Sequence, residues 1–227
     1  MALPTILTEG NEEEAARLLA AYYRRTADGR PAYTGSYFNS WAGGGDSGKN
    51  RDSITADDLV AVSFLAVDIP GEAAMGILDT HRVQISGLLA KIPADRDLAE
   101  IPSCEFADTF GPDSPATQLW HLLRGRDTGR WGVGETKASK IMARKRPRLV
   151  PIYDSVVGPL MGLNGNSIGQ WSTWHNAFME DPGLSPRLRQ IRDKSGIEEP
   201  ISDLRVMDIV LWMDGKQRPS SAATIKT

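Results

Sequence analysis

Cysteine is almost missing from this chain: Cys104 stands alone among 227 residues. One cysteine excludes a disulfide framework within the chain, a cysteine-rich zinc site and an iron–sulfur cluster held by four thiolates. As a lone thiol it is expected to be a small buried apolar residue. Histidine is scarce too. His81, His121 and His175 are scattered without ligand spacing, so no metal and no cofactor is expected, and His175 reads as a satisfied core residue on an aromatic stripe. No apolar run approaches the roughly 20 residues needed to span a bilayer. The first residues, MALPTILTEGNEEE, lack a basic leader followed by an apolar core, so a soluble cytoplasmic protein with no membrane partner is expected. Neither sign of charge dominates: 26 basic and 29 acidic residues leave a net charge of -3. That argues against a chain coated with positive charge for polynucleotide, but not against a local basic site.

Two further absences bear on the fold. There is no internal repeat, and the alternation of strand with helix typical of an α/β sheet is missing. Apolar residues make up 41% of the chain, enough for a core without staples. The expected class is all-α, a multi-helix bundle of nine or ten helices. Asn11 with Glu14 reads as an N-terminal cap, followed by an inward stripe of Ala15, Leu18, Leu19 and Tyr22. Residues from about 29 to 50 show no helical period and read as a long irregular connection. Thr55 caps an apolar run from Leu59 to Val67, expected to be a buried central helix, with its β-branched content leaving a strand as the alternative. Further helices fit residues 72–78, 83–89 and 94–100. Ser114-Pro115 and Ser185-Pro186 both read as a cap followed by proline at the first helical position. Trp171, Trp174, His175 and Phe178 form a helical stripe. Ser202 caps a last helix ending at Met213, leaving residues 214–227 as a disordered tail. Residues 1–213 are expected to form a single all-helical domain of two lobes, with a helix-hairpin-helix at about 115–145.

One segment carries chemistry: Trp131 to Val157, WGVGETKASKIMARKRPRLVPIYDSVV. Gly132-Val133-Gly134 allows a sharp turn with positive φ and leaves few side-chain atoms between backbone and ligand. The helix that follows offers unpartnered N–H groups at its start, an anion site suited to phosphate. Lys137, Lys140, Arg144, Lys145, Arg146 and Arg148 place six positive charges within twelve residues, the one concentrated basic patch. Pro147 and Pro151 end that helix. Asp154 then stands at a cap position, where a carboxylate can also face a cleft, stabilise a sugar cation or orient a water. Trp131 and Tyr153 flank the proposed cleft as candidates to stack on an extruded base, although packing suits Tyr153 as well. Asp208, on an apolar helix, is a candidate second carboxylate, with pairing to Arg205 the plainer role. GGGDSGKN at 43–50 nearly fits a phosphate-binding loop, but Asn50 stands where a hydroxyl is needed and no strand precedes it. It reads as a flexible loop.

The segment resembles the helix-hairpin-helix DNA glycosylase superfamily. Gly132, Gly134, Ala138 four residues later, and Asp154, 22 residues after the first glycine, match that superfamily's pattern. The chain also resembles, more loosely, a bacterial family sharing ASKIMARKRPRLVPIYDSVV-like segments. The first resemblance implies an all-helical fold with the active site between two lobes. It further implies hairpin amides of Gly132, Val133 and Gly134 gripping a phosphate of double-stranded DNA, with Thr136, Lys137, Lys140 and Arg144 beside them, and Asp154 as the catalytic carboxylate. Thr136 stands where bifunctional members carry a nucleophilic lysine, so a monofunctional N-glycosylase is implied. Arg130-Trp131 replaces the usual Leu-Pro, and residues 126–129 lengthen the approach. Two other readings of the residues stay open: a hairpin module that binds DNA without chemistry, and a helical interaction protein without nucleic acid.

Overall fold

The computed structural model describes residues 3–125, 129, 131–163, 165, 167 and 169–218. Among them the protein is all-α: eleven α-helices and one isolated β-bridge, Arg25 to Pro31. The helices are α1 (Glu12–Tyr23), α2 (Ala56–Ser63), α3 (Gly71–Met75), α4 (Arg82–Leu89), α5 (Phe106–Phe110), α6 (Pro115–Leu123), α7 (Glu135–Lys145), α8 (Val157–Leu160), α9 (Gln170–Glu180), α10 (Leu184–Ser195) and α11 (Asp203–Gln217). None is long and apolar enough to cross a membrane.

The central helix is α11, not the run beginning at Leu59. Every residue from Leu204 to Leu211 is buried, as expected of a helix that is apolar nearly all round. It packs against α1, α8 and α10, while α7 packs against α2 and α6. The run expected to be central stops as a helix at Ser63. Phe64 to Ala66 turn away, and Ala66 takes a left-handed backbone conformation (φ 58°). Val60 is exposed, so α2 buries only one face.

Caps explain most boundaries. Ser114 accepts from the amide of Thr117 with Pro115 behind it, and Ser202 accepts from Arg205. Thr55 and Asp58 cap each other reciprocally at the start of α2. Other expectations are corrected. Asn11 directs its side chain backward to Thr8 rather than capping α1. Helix α10 starts at Leu184, so Pro186 sits inside its first turn, where no intrahelical N–H bond is required. Residues 94–100 yield only a short 3-10 turn, Leu98–Glu100. Helix α11 runs through Gly215 to Gln217, and at Gly215 a Cβ would collide with Val156; of the expected tail, residues 219–227 lie outside the described residues. Cys104 is exposed, not buried. His175 is satisfied in the core, with Nε2 at 2.7 Å from the carbonyl of Ile101.

The basic run is the principal correction. Arg144, Lys145 and Arg146 are each at most 2% exposed, and they clamp the irregular connection to the helical body. Arg144 donates from Nε to Asp58 Oδ1 (3.0 Å) and from its terminal nitrogens to the carbonyls of Phe38, Asn39 and Trp41. Lys145 Nζ donates to Asp58 Oδ2 (3.1 Å) and to the carbonyl of Asn50 (2.9 Å). Arg146 reaches Asp52 and the carbonyls of Arg51, Leu89 and Ile92. A segment without helix or sheet leaves its carbonyls without ladder partners, and buried carbonyls need donors. These cations supply them. Burial pushes the pKa of Lys145 and of Arg146 down, opposed by Asp58 and Asp52 respectively. The glycine-rich loop is part of the clamp: a Cβ on Gly45 would lie 2.2 Å from the carbonyl oxygen of Arg144. This close approach, not phosphate binding, accounts for glycine there.

Candidate functional site

Gly132-Val133-Gly134, the expected hairpin, leads directly into α7. Gly132 has φ 81°, and its missing Cβ makes room for Pro70. Val133 is buried and plugs the turn into the core. Gly134 caps α7 without a side chain, so the first-turn amides lack intrahelical partners, and a Cβ on this glycine would meet nothing within 4 Å. Lys137 folds over the turn, donating to the Gly132 carbonyl at 3.1 Å, with Asp68 at 3.8 Å. Glu135 is held by Arg124 at 3.3 Å. Residues 126–128 and Arg130 of the approach lie outside the described residues.

Trp131 does not face a cleft. It is buried, donates from Nε1 to the Leu123 carbonyl at 2.7 Å, and packs its six-membered ring against Gly76, beside His81. Tyr153 is also buried, packed by Gly158. Both are anchors of the hairpin's surroundings rather than base-stacking walls. Arg144, directed to Asp58 and the 38–41 carbonyls, has no free donor edge for a phosphate.

In the run 149–154 Asp154 is the residue that reaches solvent. Its side chain is 18% exposed and lines a cleft of about 470 Å³, together with Thr136 and Lys140. That volume falls within the roughly 300–1,000 Å³ common for ligand pockets. The position of Asp154 is set locally. Ser139 of α7, fully buried, accepts from the Tyr153 amide at 3.0 Å, tying the extended run 151–154 to the helix. Asp154 then accepts from the Val156 amide through Oδ1 (2.9 Å), an Asx turn that opens α8, and its carbonyl accepts from Gly158. Oδ2 is left toward Lys140, whose Nζ stands 3.5 Å away and donates to the Leu65 carbonyl at 2.8 Å. Burial lowers the pKa of Lys140, with Asp154 opposing that shift. Ala66, next to the acceptor of that bond, carries the positive φ; a bulkier residue tolerates this poorly, and such strain clusters at binding rims.

Aromatic rings also line the cleft. Tyr22 stacks on Tyr33 (centroids 5.4 Å apart), Tyr33 meets Trp212 edge-on (5.5 Å), and Lys216 lies over the Trp212 ring. On α11, Arg205 donates to Asp208 Oδ2 (3.0 Å), Asn39 Oδ1 (3.0 Å) and the Tyr22 hydroxyl (3.2 Å). Asp208 is 4% exposed. Burial pushes its pKa up to about 7 against the pull of Arg205, and Asp154 pushes the same way. Tyr22, Tyr33 and Trp212 lie in segments that carry no motif, so sequence reasoning missed them. The signal for α11 is the pair Arg205 and Asp208 at i, i+3 in an otherwise apolar helix.

The arrangement holds a partly exposed carboxylate beside a buried ammonium, faced by aromatic rings that suit a flat ligand. Among the described residues no cluster of three or more metal-binding side chains occurs. No curated protein and no solved structure matches the chain. A family model matches residues 15–215, a span that includes the hairpin, Asp154 and the whole aromatic wall. The chain therefore belongs to DUF6308, a family of unknown function.

Proposed function

We propose that the protein binds double-stranded DNA through a helix-hairpin-helix and acts as a monofunctional N-glycosylase, with its helices arranged as the two lobes of that superfamily around the cleft. The observation that carries the reading is the place of Asp154: a partly exposed carboxylate at the mouth of an aromatic-walled cleft, with Thr136 from the first turn of the hairpin's own helix on the same cleft. The hairpin amides of Gly132, Val133 and Gly134 hold a backbone phosphate, and Lys137 adds Coulomb attraction. The extruded nucleotide enters the cleft. Asp154 stabilises positive charge developing on the sugar and orients the water whose oxygen bonds to C1′. The C1′–N electron pair leaves with the base, which takes up one proton; the second proton of the water stays on the hydroxyl of the abasic sugar. Lys140 orients Asp154 rather than attacking C1′, because its Nζ is engaged by Leu65 and the carboxylate. No Schiff base forms, since Thr136 replaces a nucleophilic lysine.

One observation favours a second reading, a helical protein that does not bind nucleic acid. Arg144, Lys145 and Arg146 are spent inside the fold, so less positive charge surrounds the hairpin than the composition of the run suggests. Duplex oligonucleotides carrying a panel of damaged and modified bases, scored for abasic sites, decide between the readings. The glycosylase reading expects abasic sites with at least one substrate and a loss of 100-fold or more in Asp154→Asn, with duplex affinity unchanged. Absence of duplex binding at low salt establishes the second reading instead.

A further inference from the structure

One buried polar group of the cleft is half satisfied. Asp208 lines the cleft from α11, and its two carboxylate oxygens differ. Oδ2 accepts from Arg205 at 3.0 Å, whereas Oδ1 is buried and has no hydrogen-bond partner among the described residues. A buried carboxylate oxygen without a donor is unfavourable by roughly 1–3 kcal/mol or more, and such an orphan in a native fold calls for an explanation. The charged and titratable groups facing Asp208 are Arg205 of α11, Lys140 of α7, Asp154 of the turn after it, and Tyr22 of α1. Arg205 is already committed to Oδ2, Asn39 and Tyr22, and Lys140 to Leu65 and Asp154. Among the described residues none donates to Oδ1. Asp208 also borders a void of about 10 Å³ beside Phe38 and Val150, near the lower limit for holding one water, so a single water there is the competing partner.

We propose that Oδ1 of Asp208 reads the occupant of the cleft, accepting a hydrogen bond from the exocyclic amino group of a planar nitrogen heterocycle lodged against Tyr33 and Trp212. This rests on the proposed function in taking a nucleobase as occupant, and it adds the class: bases with an amino group on the edge away from the sugar. Selection of this kind is strong because the analogue without the amino group leaves the buried oxygen unpaired. Arg205 fixes the sense of the contact, since it demands an oxygen at Oδ2 and so leaves only the Oδ1 position to the ligand. In Asp208→Asn the amide must turn its oxygen to Arg205 and its NH₂ to the cleft, replacing an acceptor by a donor at one point.

The test is binding of small bases to the full chain, measured by calorimetry at pH 8.5, apart from any DNA assay. The probes are 9-methyladenine against 9-methylpurine and 1-methylcytosine against 1-methyl-2-pyrimidinone, pairs that differ only in the amino group. The native protein is expected to favour the amino-bearing member of at least one pair by ten-fold or more. Asp208→Asn is expected to abolish or invert that preference. The native protein supplies a check that needs no variant: below pH 7, where Oδ1 carries a proton and donates, the ratio falls toward one. Equal affinity for both members of each pair, no binding of any of the four, or a ratio unmoved by both Asp208→Asn and acid overturns the proposal. Failure here with base release intact removes the assignment of Asp208 alone; selective small-base binding with no base release from DNA removes the glycosylase reading alone.

Discussion

The two ends of α7 carry the same kind of residue and do opposite things. At its C-terminal end Arg144 and Lys145, with Arg146 just beyond, are buried, each donating to a carboxylate and to backbone carbonyls of distant segments. At its N-terminal end Lys137 lies over the hairpin, and Lys140 borders the cleft beside Asp154. Six cations within twelve residues look like one electrostatic feature, yet four of them, Lys140 included, are buried donors to backbone carbonyls of distant segments. Clustered charge in a sequence reports local density, not the direction of the side chains. Direction depends on which carbonyls elsewhere lack partners.

Asp58 anchors the buried end of α7. It takes Arg144 on one oxygen and Lys145 on the other, and it also closes the cap of α2. Asp58→Ala leaves two cations buried without their counter-charge, and removing one partner of a buried pair is destabilising by about 3–5 kcal/mol. Denaturant unfolding is expected to show a loss of that order, a large share of the roughly 5–15 kcal/mol available to a domain. A loss below about 1 kcal/mol would mean that the clamp is a surface feature after all.

Asp208 provides the next effect, on the dependence of stability on pH. Its folded pKa, about 7, stands above the value of 3.8 for a free carboxyl. A raised pKa means the folded state binds the proton more tightly than the unfolded state. The associated stability is complete below pH 3.8 and is lost as pH rises through about 7. Between these limits the slope attributable to this group approaches about 1.4 kcal/mol per pH unit. Unfolding free energies of Asp208→Asn at pH 5 and pH 8 are expected to lack that decline, whereas the same decline in the variant refutes the assignment to Asp208.

Smaller effects sharpen the contrast between the ends of α7. Ser139→Ala removes the acceptor for the Tyr153 amide, an effect on stability of about 1–2 kcal/mol. It is expected to lower the rate of base release while leaving duplex affinity within two-fold, as fits a residue that positions Asp154 from behind. Lys137→Gln is expected to change stability by less than about 0.5 kcal/mol and to reduce the slope of log affinity against log salt by about 0.9. Arg144→Gln should do the reverse, with stability falling and the salt slope unchanged. A flattened slope in Arg144→Gln would contradict its inward assignment.

Much of this was legible before the coordinates. Ser114-Pro115 and Ser202 start helices because their side-chain oxygens satisfy first-turn amides, which is a local matter. The exposure of Asp154 beside the hairpin helix follows from the two prolines that bring the chain out of α7 and the Asx turn that starts the next helix. The rest depends on distant partners. Nothing near Arg144 indicates that its acceptors lie at Phe38, Asn39 and Trp41, 103 to 106 residues away. Trp131 looks like a ligand-stacking ring until Gly76 is seen to make room beneath it. The aromatic wall joins Tyr22, Tyr33 and Trp212 from α1, an irregular connection and α11, and no periodicity within one segment links them. That α11 is the central helix depends on its packing against α1, α8 and α10, which its apolar sequence alone does not specify; Arg205 and Asp208 pair with each other in the interior.

The most direct test is base release by the native protein and by Asp154→Asn from duplexes bearing single damaged or modified bases. Abasic sites from the native protein, a fall of 100-fold or more in the variant and equal duplex binding by both are the predicted results. Equal release by the two proteins would contradict the role given to that carboxylate.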